Sequence, residues 1–377
     1  MLIKNGKVFI NKSFSNADIC FDSKILAIGS LDGSADYDAE GCYIIPGLVD
    51  IHTHGAVGED FSDGDPSAVR PLSDYYASNG VTSYLATTMT LPEADLIRAM
   101  HAIRDYRYKS GAKCAGIHLE GPFLSFEKRG AQAAENLHIP DIGLFDRLSE
   151  ASGGQIKIVT IACEEPGAME FISRVCKETK ISLGHTSCTY EQAIEAFSNG
   201  ASHTTHLFNG MAGLHHRSPG LIAAAMDCGA SVELICDGIH VHPAAVRLAH
   251  RIFGEKMALI SDSLRCAGMP DGEYELGGQP VTVKDGAAKI SGTNIIAGSS
   301  ISLLDAIRNA VSFGIPLEDA IYAASTAPAQ AAALHDIGSI EIGKCADFLI
   351  LDENLNLKAV FVDGKKQVLS PSNILSK

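Results

Sequence analysis

Eight apolar, strand-like runs dominate the middle of the 377-residue chain, and each is followed by a helical segment. They cover 43–54, 81–90, 114–121, 156–163, 181–186, 201–207, 232–237 and 258–262. Strands that alternate with helices pair in parallel through right-handed crossovers, and eight such units close into a barrel. The segment "TYEQAIEAFSNG" shows the helical logic. Thr189 and Gln192 form a capping-box pair, and Gly200 supplies the C-terminal stop. The expected fold class is therefore α/β, a (β/α)8 TIM-like barrel over 48–343. "DGEYELGGQPVTVKDGAAKI" interrupts the pattern as an expected β-hairpin insertion near 271–292. Both ends read differently. "MLIKNGKVFI" and "ADICFDSKILAIGS" are short strands between Gly, Asn and Asp turn signals, and "KCADFLILDENLNLKAVFVDGKKQVL" repeats that character with a hairpin signal at Asp363-Gly364. One small β-sandwich domain built from 1–47 plus 344–377 is expected.

Length alone is compatible with two or three domains, although an α/β barrel often exceeds about 200 residues as a single unit. Hydrophobic residues make up 46% and charged residues 20%, which fits a folded chain and argues against disorder. No apolar run reaches the roughly 18 residues that span a bilayer. "MLIKNGKVFINKSF" lacks the long apolar core of a signal peptide, so no membrane partner and a cytoplasmic location are expected. The ten cysteines form no C-x-x-C pair and read as reduced thiols in small apolar gaps. A net charge of -15 disfavours nucleic acid as a partner. An anionic small molecule remains open, because a few local cations and backbone amides suffice to hold a phosphate.

Active sites of such barrels lie at the C-terminal ends of the strands. Here those ends carry His52 and His54, then His118 and Glu120, then His185, His206, Asp237 with His240, and Asp262. Residues i and i+2 of a strand share a face, so His52 and His54 can both point inward, as can His118 and Glu120. A single histidine at a strand end is usually an ordinary hydrogen-bonded residue. Six such ends around one mouth would leave repelling or poorly solvated charges without a cation. A divalent metal resolves this, and imidazole and carboxylate suit zinc or iron.

"PGLVDIHTHG" with the later strand-end His, His and Asp resembles the amidohydrolase superfamily. Within it, "HLEGPF", "GHTSCTYEQA", "THLFNGM", "HHRSPG", "CDGIHV" and "SDSLRCAGMPDGEYELGG" resemble the N-acetylglucosamine-6-phosphate deacetylase family, in order, from Pro46 to "GSIEIGKCADFLILD". The resemblance implies hydrolysis of the acetamide of a phosphorylated amino sugar. It implies Glu120, His185 and His206 as principal metal ligands, with His52 and His54 contacting a second ion where that His-x-His is kept. One or two ions per subunit follow. Asp262 resembles the catalytic acid/base. Asn209 and Gly210 resemble backbone phosphate contacts, and Arg217 an arginine reaching phosphate in the adjacent subunit of a homodimer. His240 resembles a sugar-contacting histidine, Ile296 and Ala297 the lining of the N-acetyl pocket, and Ala131 a further ligand-contacting position.

Two positions depart from the family pattern. Many members read Gly-Ala-His where this chain has Gly130-Ala131-Gln132, and Arg-Glu-Pro-Gly where it has Arg217-Ser218-Pro219-Gly220. Gln132 is expected at the substrate as a hydrogen-bond donor that cannot become cationic. His101, His138, His250 and His335 read as surface residues, and His203 and His242 have no matched role. His118 reads as a residue behind the ligands, and His215 and His216 flank the phosphate loop. Three rivals stand beside this reading. The N-acetylgalactosamine 6-phosphate epimer needs the same chemistry. A cyclic-amide hydrolase would typically carry a lysine at the end of the fourth strand, where "IKIVTIACEE" has none. A non-catalytic scaffold would be expected to have lost ligands.

Overall fold

A computed structural model describes residues 1–369; 370–377, the tail of the stretch assigned by sequence to the terminal β domain, lie outside the described residues. Eight parallel strands follow the sequence order: β1 (Leu48–Thr53), β2 (Val81–Thr88), β3 (Lys113–Glu120), β4 (Ile156–Ile161), β5 (Lys180–Leu183), β6 (His203–Thr204), β7 (Ser231–Ile235) and β8 (Met257–Ile260). Just beyond the strand ends, the Asp262 amide donates to the His52 carbonyl at 2.9 Å and the His54 amide to the Ser263 carbonyl at 2.9 Å. These bonds draw β8 against β1 and bring the first and last candidate residues together. Two residues behind Thr87, Thr160 and Asp262 on the same strand faces, Leu85, Ile158 and Ile260 are buried. The polar mouth thus rests on an apolar layer. Between the strands, the helix Tyr190–Ser198 opens with the capping box of Thr189 and Gln192.

The expected first strand, 43–54, is in fact two. Tyr43–Pro46 pairs with terminal strands and Leu48–Thr53 joins the barrel, with Gly47 at the break. A Cβ at 47 would lie 2.1 Å from Thr82 Oγ1, so only glycine lets the chain pass this close to β2. The insertion also differs from a hairpin. Gly272–Leu276, Gln279–Lys284 and Ala287–Ile290 form a three-stranded antiparallel sheet. The extra strand follows a turn at Asp285-Gly286, where both residues have positive φ. Leu276, Val281 and Ile290 of this sheet pack with Met89, Leu264 and Ala297, so it leans on the mouth.

Strands from both termini share one sheet, with Phe348–Leu351 beside Tyr43–Pro46 and Leu2–Ile10 beyond it. The sheet curls until Phe21 meets Phe348 and Phe361, at ring-centroid separations of 5.0 and 5.6 Å. Each such buried Phe contributes about 1.5–3 kcal/mol relative to an exposed one. Lys113, at the start of β3, pairs with Asp347 at 2.7 Å and Asp363 at 2.6 Å and ties the barrel to this sheet. Asp363-Gly364 makes the tight turn between Leu357–Val362 and Lys365–Lys366, both residues at positive φ.

Candidate active site

His52 is the penultimate residue of β1, and the other candidate residues stand at, or one or two residues past, the ends of their strands. Glu120 ends β3, His54 follows β1, and His185, His206 and Asp262 follow β5, β6 and β8. Three of them adopt left-handed backbone: φ is 47° at His185, 25° at His206 and 48° at Asp262. Such conformations cost of order 1–3 kcal/mol each and persist where the surroundings fix them. Gly210 is part of that surrounding. Its φ is 58°, and a Cβ there would stand 2.9 Å from His185 Nδ1.

Glu120 is the hub. Its Oε1 lies 2.9 Å from His206 Nε2, 3.2 Å from His185 Nε2 and 3.4 Å from His52 Nε2. Its Oε2 lies 3.2 Å from His54 Nε2, and Asp262 Oδ1 lies 3.3 Å from that same nitrogen. The tautomers follow from the far sides of the rings. His185 Nδ1 is 2.7 Å from the Lys128 carbonyl, which only accepts, so this nitrogen carries the proton. Its Nε2 then presents a lone pair to Glu120 and, at 3.0 Å, to His206 Nε2. His52 Nδ1 donates to Glu233 Oε2 at 2.8 Å, leaving Nε2 buried and without a hydrogen-bond partner. Lone pairs converging on carboxylate oxygens repel unless a cation stands between them. The donor set fits a divalent metal on two sides of Glu120: with His185 and His206, and with His52 and His54.

The charge balance agrees. Burial opposes ionisation of Glu120, yet the neighbouring imidazoles, His52 first, hold its carboxyl well below the usual range. Asp262 is likewise disfavoured by burial, but His52 and His54 keep it below its ordinary value. Burial pushes His54 down, but Asp262 and Glu120 outweigh this and raise it to about 9. His52 rises well above its usual value against the same burial, through Glu120, Glu233 and Asp262. The carboxylates of this corner therefore call for positive charge. His118 differs: burial and the neighbouring His52 lower it to about 3, so its ring is neutral. Its Nδ1 faces the Ile51 carbonyl at 3.0 Å and its Nε2 the Thr160 hydroxyl at 2.8 Å.

The cavity at this mouth is lined by His54, Glu120, His185, His206 and Asp262 together with Ala131, Gln132, Asn209, Gly210, His240, Ile296 and Ala297. His52 lies behind them, fully buried. Arg217 stands apart on an exposed loop, its guanidinium 2.6 Å from His216 Nε2. His240 faces acceptors on both sides, Asp237 Oδ2 at 2.6 Å and the Ala297 carbonyl at 3.1 Å. Burial lowers its pKa, but Asp237 wins and raises it. Among the remaining histidines, His242 caps the helix Pro243–Phe253 and His250 pairs with Asp319 at 3.1 Å.

Sequence reasoning passed over Glu233. This fully buried carboxylate on β7 takes hydrogen bonds from His52, from His203 Nε2 at 3.1 Å and from the His206 amide at 3.1 Å. It gives His203, which had no role by sequence, a place behind the ligands. The available signal was an acidic residue inside the otherwise apolar run "VELIC", a position that requires a buried partner.

A parallel barrel with carboxylate and imidazole groups converging at its C-terminal mouth defines a hydrolase of the metal-dependent barrel class. The chain belongs to the amidohydrolase family, whose model matches residues 43–367. Its relatives narrow this further. It is 37% identical to the N-acetylglucosamine-6-phosphate deacetylase of Bacillus subtilis, over 98% of this chain and 94% of that one. It is 36% identical to the N-acetylgalactosamine-6-phosphate deacetylase of Escherichia coli O157:H7, over 91% and 92%. Among solved structures, it superposes with a TM-score of 0.91 on a mutant N-acetyl-D-glucosamine-6-phosphate deacetylase of Mycobacterium smegmatis in complex with N-acetyl-D-glucosamine 6-phosphate. That match has 32% identity and covers 98% of this chain and 99% of the other.

Proposed function

We propose that the chain hydrolyses the acetamide of N-acetylglucosamine 6-phosphate to glucosamine 6-phosphate and acetate. The observation that carries this reading is the convergence of His52, His54, His185 and His206 on the two oxygens of Glu120 with Asp262 alongside, in a chain that matches deacetylases over nearly its whole length. Glu120, His185 and His206 would hold one divalent cation, and His52, His54 and Glu120 a second; zinc and iron both suit these donors. Such a cation supplies Lewis acidity and makes water a nucleophile near neutral pH.

The chain's own residues do the rest. Asp262, ionised and beside the ligands, accepts a proton from the attacking water and returns it to the departing amine. His240, held by Asp237 through Nδ1, shifts its Nε2 proton from the Ala297 carbonyl toward the acetyl oxygen as negative charge develops there. Ile296, Ala297 and Ala131 bound the acetyl end, and Gln132 stands at the wall beside them. Asn209 and Gly210 offer backbone groups to the phosphate, whose binding positions the amide without entering the chemistry. Arg217 is assigned to the active site of a neighbouring subunit in a homodimer, which accounts for its exposure and its distance from its own cavity. Amino-sugar turnover in the cytoplasm is the setting proposed; among the described residues no helix is long and apolar enough to cross a membrane.

The E. coli relative makes the galactosamine epimer the one specific rival. The test is acetate release from N-acetylglucosamine 6-phosphate, its galactosamine epimer and the unphosphorylated sugar, on protein of measured metal content. Preferential turnover of the first is expected. Faster turnover of the epimer would reassign the substrate, and no turnover of any by metal-loaded protein would refute the reading.

A further inference from the structure

The departure at residue 132 has a structural consequence. Gln132 is buried, and both ends of its amide are committed. The Thr90 backbone N–H, which only donates, meets Oε1 at 2.7 Å. The amide orientation is thereby fixed, and its Nε2 donates to Glu120 Oε2 at 2.9 Å. The loop that carries it is braced as well. The Gln132 backbone N–H donates to the Arg129 carbonyl at 2.9 Å, and Gln279 Nε2 donates to the Ala131 carbonyl at 2.5 Å.

We infer that Gln132 is a positioning residue for Glu120, the group that sets how the shared carboxylate divides its oxygens between the two cation corners. A carboxylate can rotate about its last bond. With Oε2 pinned by Gln132 and also facing His54, Oε1 is left to His185 and His206, with His52 Nε2 farther off at 3.4 Å. Donors behind metal ligands fix ligand orientation and typically change metal affinity about 10–100-fold when removed. A glutamine does this as a permanently neutral donor, whereas an imidazole in the same place could gain a proton and repel the cations. The inference rests on the metal-dependent reading above.

The experiment compares wild type with Gln132→Met, which keeps the side-chain length but has no donor, and Gln132→Ala as a second variant. Zinc affinity is measured by competition with a chromophoric chelator, thermal melting reports the fold, and kcat and KM are taken at saturating zinc. In variants that melt cooperatively, zinc binding is expected to weaken by about 10–100-fold with KM unchanged. Unchanged zinc affinity would overturn the inference, and a raised KM alongside it would make Gln132 a substrate contact. If wild type itself neither binds zinc nor releases acetate, the functional reading fails first. If wild type does both, unchanged zinc affinity in the variants removes this assignment alone.

Discussion

The two sides of Glu120 are built by different means. On the His185–His206 side both rings line the open cavity, and the His185 ring is held from behind by a neutral backbone group. A carbonyl fixes the His185 tautomer, and left-handed backbone at both residues turns the rings inward. On the His52–His54 side only His54 lines the cavity while His52 lies fully buried behind it, and a buried carboxylate, Glu233, fixes the His52 tautomer. The first corner is set by chain geometry and the second by charge. Geometry tolerates changes in charge, while a charge-built corner weakens when one carboxylate is neutralised. The two corners should therefore respond differently to the same class of substitution.

Glu120→Ala has the largest expected effect, because it removes the atoms both corners share. Metal analysis should find both ions lost and acetate release abolished; retention of one ion at full affinity would separate the corners. Asp262→Asn comes next. It should lower kcat by about 10²–10⁴-fold, the range for a lost general acid–base, with metal content and melting temperature retained. Glu233→Gln probes the difference between the corners directly. Loss of the charged acceptor should weaken the ion held by His52 and His54 by about 10–100-fold and the other less, because Glu233 meets that side only through the His206 backbone amide. Equal weakening of both would show that charge also governs the His185–His206 corner. Asp237→Asn should be mildest. The pKa of His240 is raised against burial by Asp237, so its donating form is present at low pH and lost as pH rises through that raised value. Removing the carboxylate should move the alkaline limb of kcat/KM to lower pH, and an unmoved limb would exclude His240 from the profile.

The contrast between the corners also measures how far the sequence could be read. The eight strand–helix units and the histidines, Glu120 and Asp262 at the strand ends were legible, because barrel topology maps position along a strand to position at the mouth. Period-two alternation put His52 with His54 on one face. Glu233 was not legible, since its partners His52 and His203 come from other strands and meet it only across the closed barrel. The direction of the Gln132 amide was hidden for the same reason, because Thr90 is 42 residues away. The break at Gly47 went unread because it depends on contact with Thr82. The third strand of the insertion follows a second turn at Asp285-Gly286, in a run that reads equally well as one hairpin.

The requirement proposed for amide hydrolysis is a cation held on Glu120. Its most direct test is to strip the purified protein with a chelator, record acetate release from N-acetylglucosamine 6-phosphate, and then restore zinc or iron in stoichiometric steps. The expected result is loss of activity on stripping and recovery that follows metal bound per chain. Undiminished turnover by protein shown to be metal-free would contradict the account.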